Sequence, residues 1–294
     1  LSLDTATGLQ YAVVNLNPGT PGTLLVTPSG GATIAGLTGS GGTVKPAAAA
    51  GTYTLTIRTP GAFVFGGALS NNTGILGLNK QGSGTQTLSG ASAHSGDTAV
   101  SAGTLVLAAG GSINNASSIT VAAGALLDVT AKPTLTLTAG QVLRGNGLVT
   151  GNVATVASSR IHPGAAGTPG TLTIGGNLTL DGSYESVFDL TNSLAVGGGT
   201  NDLLRVTGDL DAGLGQIRIN ALGPLVSGTY RLMEYTGTET LPFSGGIVGL
   251  NTRDAAALDE TTPGQVNLIV TAGVAQDLAW NPVVDGNWDL GTLN

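Results

Sequence analysis

The acid–base and metal-ligating chemistry open to this sequence rests on two histidines, His94 and His162, and 17 Asp and Glu, because the chain has no cysteine. His94 stands three residues before Asp97, and a turn of that length can join an imidazole to a carboxylate as a general-base pair. The plainer reading, an exposed corner residue, is preferred. No G-x-S-x-G elbow nominates a nucleophile, and no second histidine lies at metal-ligand spacing from either one. Asp202, Asp209 and Asp211, with Arg205 between them, have the makings of a carboxylate cluster that cleaves polysaccharide. Asp also closes turns by accepting nearby backbone N–H groups, and this structural role is favoured. Gly197-Gly198-Gly199-Thr200-Asn201-Asp202 is a single imperfect copy of a calcium-binding pattern that works in tandem. Trp280 and Trp288 suit either a sugar-stacking patch or, preferably, a hairpin packed on a neighbouring module. The expectation is no catalytic residue, no metal and no cofactor.

Whatever positions these groups is unusual in composition. Of 294 residues 49 are Gly and only 9% are charged, against roughly 7% and 25% in ordinary globular chains. At 41% hydrophobic the chain carries too much apolar surface and too little charge for disorder, and its glycines lack the three-residue period of collagen. Residues 181–294 hold 14 acids against 4 arginines, whereas residues 1–180 hold 3 acids against 6 bases. Neither half has the dense positive field of a nucleic-acid binder, so nucleic acid is excluded as a main partner. The split points to at least two structural regions. The start, Leu1-Ser2-Leu3-Asp4, has no basic or apolar leader, so any signal peptide is expected to lie outside this sequence. No apolar run is long enough for a membrane-spanning helix. The absence of cysteine rules out disulfides and suits export through a narrow pore.

Short segments such as Thr52-Tyr53-Thr54-Leu55-Thr56-Ile57, Thr104-Leu105-Val106-Leu107 and Thr134-Leu135-Thr136-Leu137-Thr138 alternate Thr with apolar residues, the period of a half-buried strand. Thr suits the outer face because it is β-branched and tolerates water. Gly at the boundaries permits the positive φ of tight corners. Gly-Thr-Leu-x-[Val/Leu/Ile] recurs at 22–26, 103–107 and 170–174, a corner-plus-strand device without strict period. A β-solenoid is expected for the middle of the chain. Hairpins are expected later, where Asp181-Gly182 and Asp285-Gly286 supply turn signals.

The stretch Leu78-Asn79-Lys80-Gln81-Gly82-Ser83-Gly84-Thr85-Gln86-Thr87-Leu88-Ser89-Gly90, continued through Gly96-Asp97-Thr98-Ala99-Val100-Ser101-Ala102-Gly103-Thr104-Leu105-Val106-Leu107, resembles the autotransporter-associated β-strand repeat. Gln86 departs from its apolar strand position, and His94 stands where an aromatic is usual. Segments around 143–149, 161–174, 188–190, 202–208 and 228–232 resemble the rungs that follow such repeats, and Trp280 with Trp288 resembles a segment that opens another unit. The resemblance implies an all-β fold, a right-handed parallel β-helix with a more hairpin-like acidic C-terminal β region. It also implies a secreted passenger-like protein on the surface of a Gram-negative-type bacterium.

The expected divisions are 1–60 as first rungs or cap, 61–180 as the repeat-bearing solenoid, 181–275 as an acidic region continuing or capping it, and 276–294 as a connector. The expected function is a non-enzymatic structural or adhesive segment forming a stiff rod or filament. A polysaccharide-degrading enzyme and a glycan-binding adhesin are the alternatives. Because solenoid ends expose strand edges, the expected partners are copies of the chain stacked head to tail, together with cell-surface glycans.

Overall fold

The computed structural model describes residues 1–3, 9–17, 22–27, 31–47, 49–180, 185–213 and 215–273, and every structural statement below concerns these. Asp181-Gly182, the tail from 274 onward, Trp280, Trp288 and Asp285-Gly286 lie outside the described residues. All described elements are strands, and almost all pair in parallel. The chain is a β-solenoid whose long face is an eleven-stranded sheet and whose second face is a ten-stranded sheet. The third face is shared between a four-stranded and a five-stranded sheet.

Parallel stacking in register places each residue above its counterpart one rung earlier. On the long face Leu55, Leu78, Thr98, Ile119, Leu143, Ile161, Ser186, Ile217 and Ile247 follow one another as direct neighbours. On the second face Leu105, Leu127, Val149, Ile174, Val206 and Tyr235 form a similar column. Because side chains alternate sides along a strand, one residue in two enters these columns, as the buried-to-half-buried alternation of Thr52–Arg58 shows. The alternate Thr residues face outward. Most columns are apolar, so stacking removes a continuous hydrophobic stripe from water, and the paired strands find backbone partners in the adjacent rungs. Rung length is not constant: register partners in successive rungs lie from 18 residues apart, at Leu143 and Ile161, to 32 apart, at Leu172 and Leu204.

Parallel pairing continues through the acidic part, to Ile247–Val248 on the long face and Glu239–Leu241 on the third. The hairpin character is confined to the end. There Gln265–Thr271 runs antiparallel to both Gly228–Tyr235 and Ala255–Asp259. The three Gly-Thr-Leu segments each lead into a strand, Thr23–Val26 on the third face and Thr104–Leu107 and Thr171–Gly175 on the second.

Candidate functional site

In the repeat, the polar residues of the motif turn inward. Lys80 faces inward at the end of its strand, in register between Ile57 and Val100, and its Nζ donates to the carbonyls of Gln81 (3.0 Å), Gly82 (2.9 Å) and Ala102 (3.0 Å). An ammonium has three protons, so its donors match the three acceptors. The side chain is fully buried, and burial pulls its pKa down to about 8, leaving it charged at neutral pH. Gly103 has φ +64°, and a Cβ there would stand 2.3 Å from the Gly82 oxygen and 2.8 Å from Lys80 Nζ. The glycine of this motif therefore makes room for the lysine clamp. Gln86, the departure from the apolar pattern, is buried, accepting from the Leu37 N–H and donating to the Leu37 carbonyl at 2.9 Å. Its amide acts as a substitute peptide group for the strand Ala32–Thr38, whose pairing with Thr52–Arg58 covers only Ala32 to Ile34.

His94 is fully buried, which corrects its reading as an exposed corner residue. The segment around it stacks on the previous rung, with Ala93 N–H donating to the Leu69 carbonyl, so alternate residues Ser92 and His94 enter the interior. His94 Nε2 bonds the Thr98 hydroxyl at 2.9 Å, while Asp97 accepts from Ser117 and Ser118 instead. The general-base pair does not form. Burial pushes the His94 pKa down to about 4, so the ring is neutral at ordinary pH.

The carboxylates of the acidic half also separate. Asp209 accepts from the Thr238 N–H and hydroxyl at a turn, Asp211 lies on the third face, and Arg205 pairs with Glu234. Asp202 instead is buried beside two residues that the sequence did not connect to it, Asp189 and His162. One oxygen of Asp202 accepts from Gly170 N–H (2.7 Å), the other from Asp189 N–H (2.8 Å). Asp189 accepts from Gly167 N–H (2.6 Å) and from Asn220 Nδ2 (2.6 Å). His162 Nε2 lies 3.4 Å from Asp189 Oδ1 and 3.6 Å from Asp202 Oδ2. Both carboxylates are fully buried, and Nε2 has no hydrogen-bond partner. Burial and the neighbouring Asp189 charge, opposed by the two backbone N–H groups, push the Asp202 pKa up to about 8. Burial also lowers that of His162, against the attraction of Asp189. The glycine-rich loop before Asp202 is held by Asn201, which accepts from Thr191 N–H and donates to the carbonyls of Ser193 and Ala195.

Outside this corner, on the long face, Val142, Arg144, Arg160, His162, Glu185, Val187 and Arg218 line a shallow groove of about 350 Å³. Glu185 bridges Arg160 (2.9 Å) and Arg218 (2.7 Å) across successive rungs, and these two guanidiniums hold its pKa below the usual carboxylate range. Arg144 reaches Thr120 Oγ1 at 3.0 Å and has no carboxylate partner among the described residues. Sequence reasoning passed over this groove because its members come from successive strands whose register partners are 18 to 31 residues apart, which only the stacking brings together. No described helix is long and apolar enough to cross a membrane.

Comparison with known proteins agrees with this architecture. Residues 78–107, the segment clamped by Lys80, match the passenger-associated-transport-repeat family. Over 205 residues, 69% of the chain, it is 33% identical to the adhesin BmaC autotransporter of Brucella suis biovar 1 (strain 1330). The chain spans about 5% of the length of that relative. The stacked parallel sheets are those of a β-helix, and residues 78–107 within it match a passenger-associated-transport repeat.

Proposed function

We propose that this chain is a non-enzymatic adhesive segment of a passenger displayed on the surface of a Gram-negative bacterium, acting as a stiff stack of rungs with a contact surface along its side. The observation that carries this reading is the similarity to an adhesin over 69% of the chain. The inward use of the repeat's polar groups supports it: Lys80, Gln86 and His94 bond within the stack. The polysaccharide-cleaving alternative needs accessible paired carboxylates, whereas Asp189 and Asp202 are fully buried and Asp209 closes a turn.

The contact surface assigned to adhesion is the groove around Arg144, Arg160 and Arg218, whose guanidiniums suit the carboxylate or sulfate groups of cell-surface glycans. Head-to-tail stacking is the second part of the proposal. The strand Leu9–Asn15 pairs on one side only among described strands, and its Tyr11 is 90% exposed. The test is attachment of beads coated with the full chain to cells and to immobilised acidic glycans. Attachment that falls at least several-fold in an Arg144→Ala, Arg218→Ala double variant supports the reading. Beads that do not attach, or attach equally with the variant, reject the groove as the adhesive surface. Sedimentation of the same protein tests stacking, with a monomer at all concentrations as the contrary result.

A further inference from the structure

We propose that His162, Asp189 and Asp202 form a three-ligand site for a zinc-class divalent cation, which ties the 191–202 loop to the rung it interrupts. One nitrogen and two carboxylate oxygens, one from each residue, all lie within 4.8 Å of one another. Zinc takes such nitrogen and oxygen ligands at roughly 2.0–2.1 Å, and a tetrahedron with those bonds has edges of about 3.4 Å. The observed separations from Nε2, 3.4 Å and 3.6 Å, are edges of that size.

Two further features point to a ligand. His162 Nε2 is out of contact with solvent, lies 3.4 Å and 3.6 Å from the two carboxylates, and forms no well-aligned hydrogen bond with either. The two carboxylates are wholly buried, yet neither forms an ion pair with a described lysine or arginine. A buried carboxylate is neutralised by a proton, a paired charge or a metal. The supporting shell is in place: Gly167 and Gly170 N–H groups and Asn220 Nδ2 bond the carboxylates and fix their direction, as outer partners do around metal ligands. Calcium suits the corner poorly, since it requires six to eight oxygens at 2.3–2.6 Å.

The three ligands lie on the strand Arg160–Pro163, on the strand Glu185–Leu190 and immediately before the strand Leu203–Val206. A bound cation therefore closes the 191–202 excursion at its base. In a chain without cysteine it would perform the stapling that a disulfide performs elsewhere, and it would stabilise the native state by mass action.

The sequence contains only two histidines, which makes the test direct. The full chain labelled with ¹⁵N-histidine gives two imidazoles, assigned through His94→Phe. One equivalent of Zn²⁺ is expected to shift the His162 ring nitrogens, leave those of His94 unchanged, and raise the melting temperature by about 3 °C. Calcium at the same concentration leaves both rings unchanged. Asp202→Ala weakens zinc binding on the order of 100-fold, and the wild-type spectrum stands as the test if that variant does not fold. Unchanged His162 resonances in tenfold excess zinc, a shift of His94 instead, or an equal response to calcium overturns the proposal. These results are independent of attachment, so the site and the adhesive reading fail separately.

Discussion

The corner at Lys80 and the corner at Asp202 both remove ionisable groups from water, but they compensate them differently. At Lys80 three ammonium protons meet three carbonyl oxygens within two adjacent rungs. At Asp202 two carboxylates face an imidazole nitrogen that bonds neither. The first corner is complete with the chain's own groups, whereas the second leaves the His162 nitrogen without a hydrogen bond. A buried charge with all its bonds made belongs to construction. The corner where an imidazole nitrogen and two carboxylates converge without a described lysine or arginine partner is where we propose a ligand site.

Breaking the complete corner should have the largest effect. Lys80→Met leaves three buried carbonyls without their donor, and a loss on the order of 4 kcal/mol is expected, read as a lower denaturant midpoint. The next effect concerns His94 and acid. The folded ring stays neutral down to about 4, while the unfolded ring protonates near its ordinary value of about 6.5. Between those values the unfolded chain binds the extra proton, so stability is lost as pH falls from about 6.5 to about 4, by roughly 3 kcal/mol in all. His94→Phe should remove this part of the pH slope, which melting curves across the window will show.

Smaller effects sharpen the contrast. Ser186 lies in the apolar column between Ile161 and Ile217, with a buried hydroxyl that has no hydrogen-bond partner. Ser186→Ala should therefore stabilise by about 1 kcal/mol, in contrast to Lys80→Met, because it removes a polar group that gains nothing from burial. Glu185→Gln breaks two exposed pairs with Arg160 and Arg218. It should cost less than about 1 kcal/mol in denaturant unfolding, and that cost should shrink further in high salt.

Much of the fold was legible because its physics is local. Alternation of Thr with Leu, Val or Ile fixes which side faces inward, and the glycines mark corners. Lys80 was legible as part of a motif but not as a clamp, since its third acceptor, Ala102, comes from the next rung. His94 was misread because its segment looks like a polar turn and in fact stacks as the third side of a rung. Asp189 was missed for a different reason. In Glu185–Leu190 the residues Ser186, Phe188 and Leu190 face inward, so period two sends Asp189 outward. The 164–170 segment then covers that outer position, with Gly167 N–H on its carboxylate. An aspartate between Phe188 and Leu190 was the available signal. Its partners, 13 residues away at Asp202 and in an earlier rung at His162, depend on rung lengths that the sequence does not display.

The contrast between the two corners is tested most directly by amide hydrogen exchange of the full chain with and without one equivalent of Zn²⁺. Slower exchange at Gly167 and Gly170, whose N–H groups bond the two carboxylates, with no change at Gly82, Gly84 and Gly103 around Lys80, is the predicted result. Equal change at both corners, or none at Gly167 and Gly170, would contradict it.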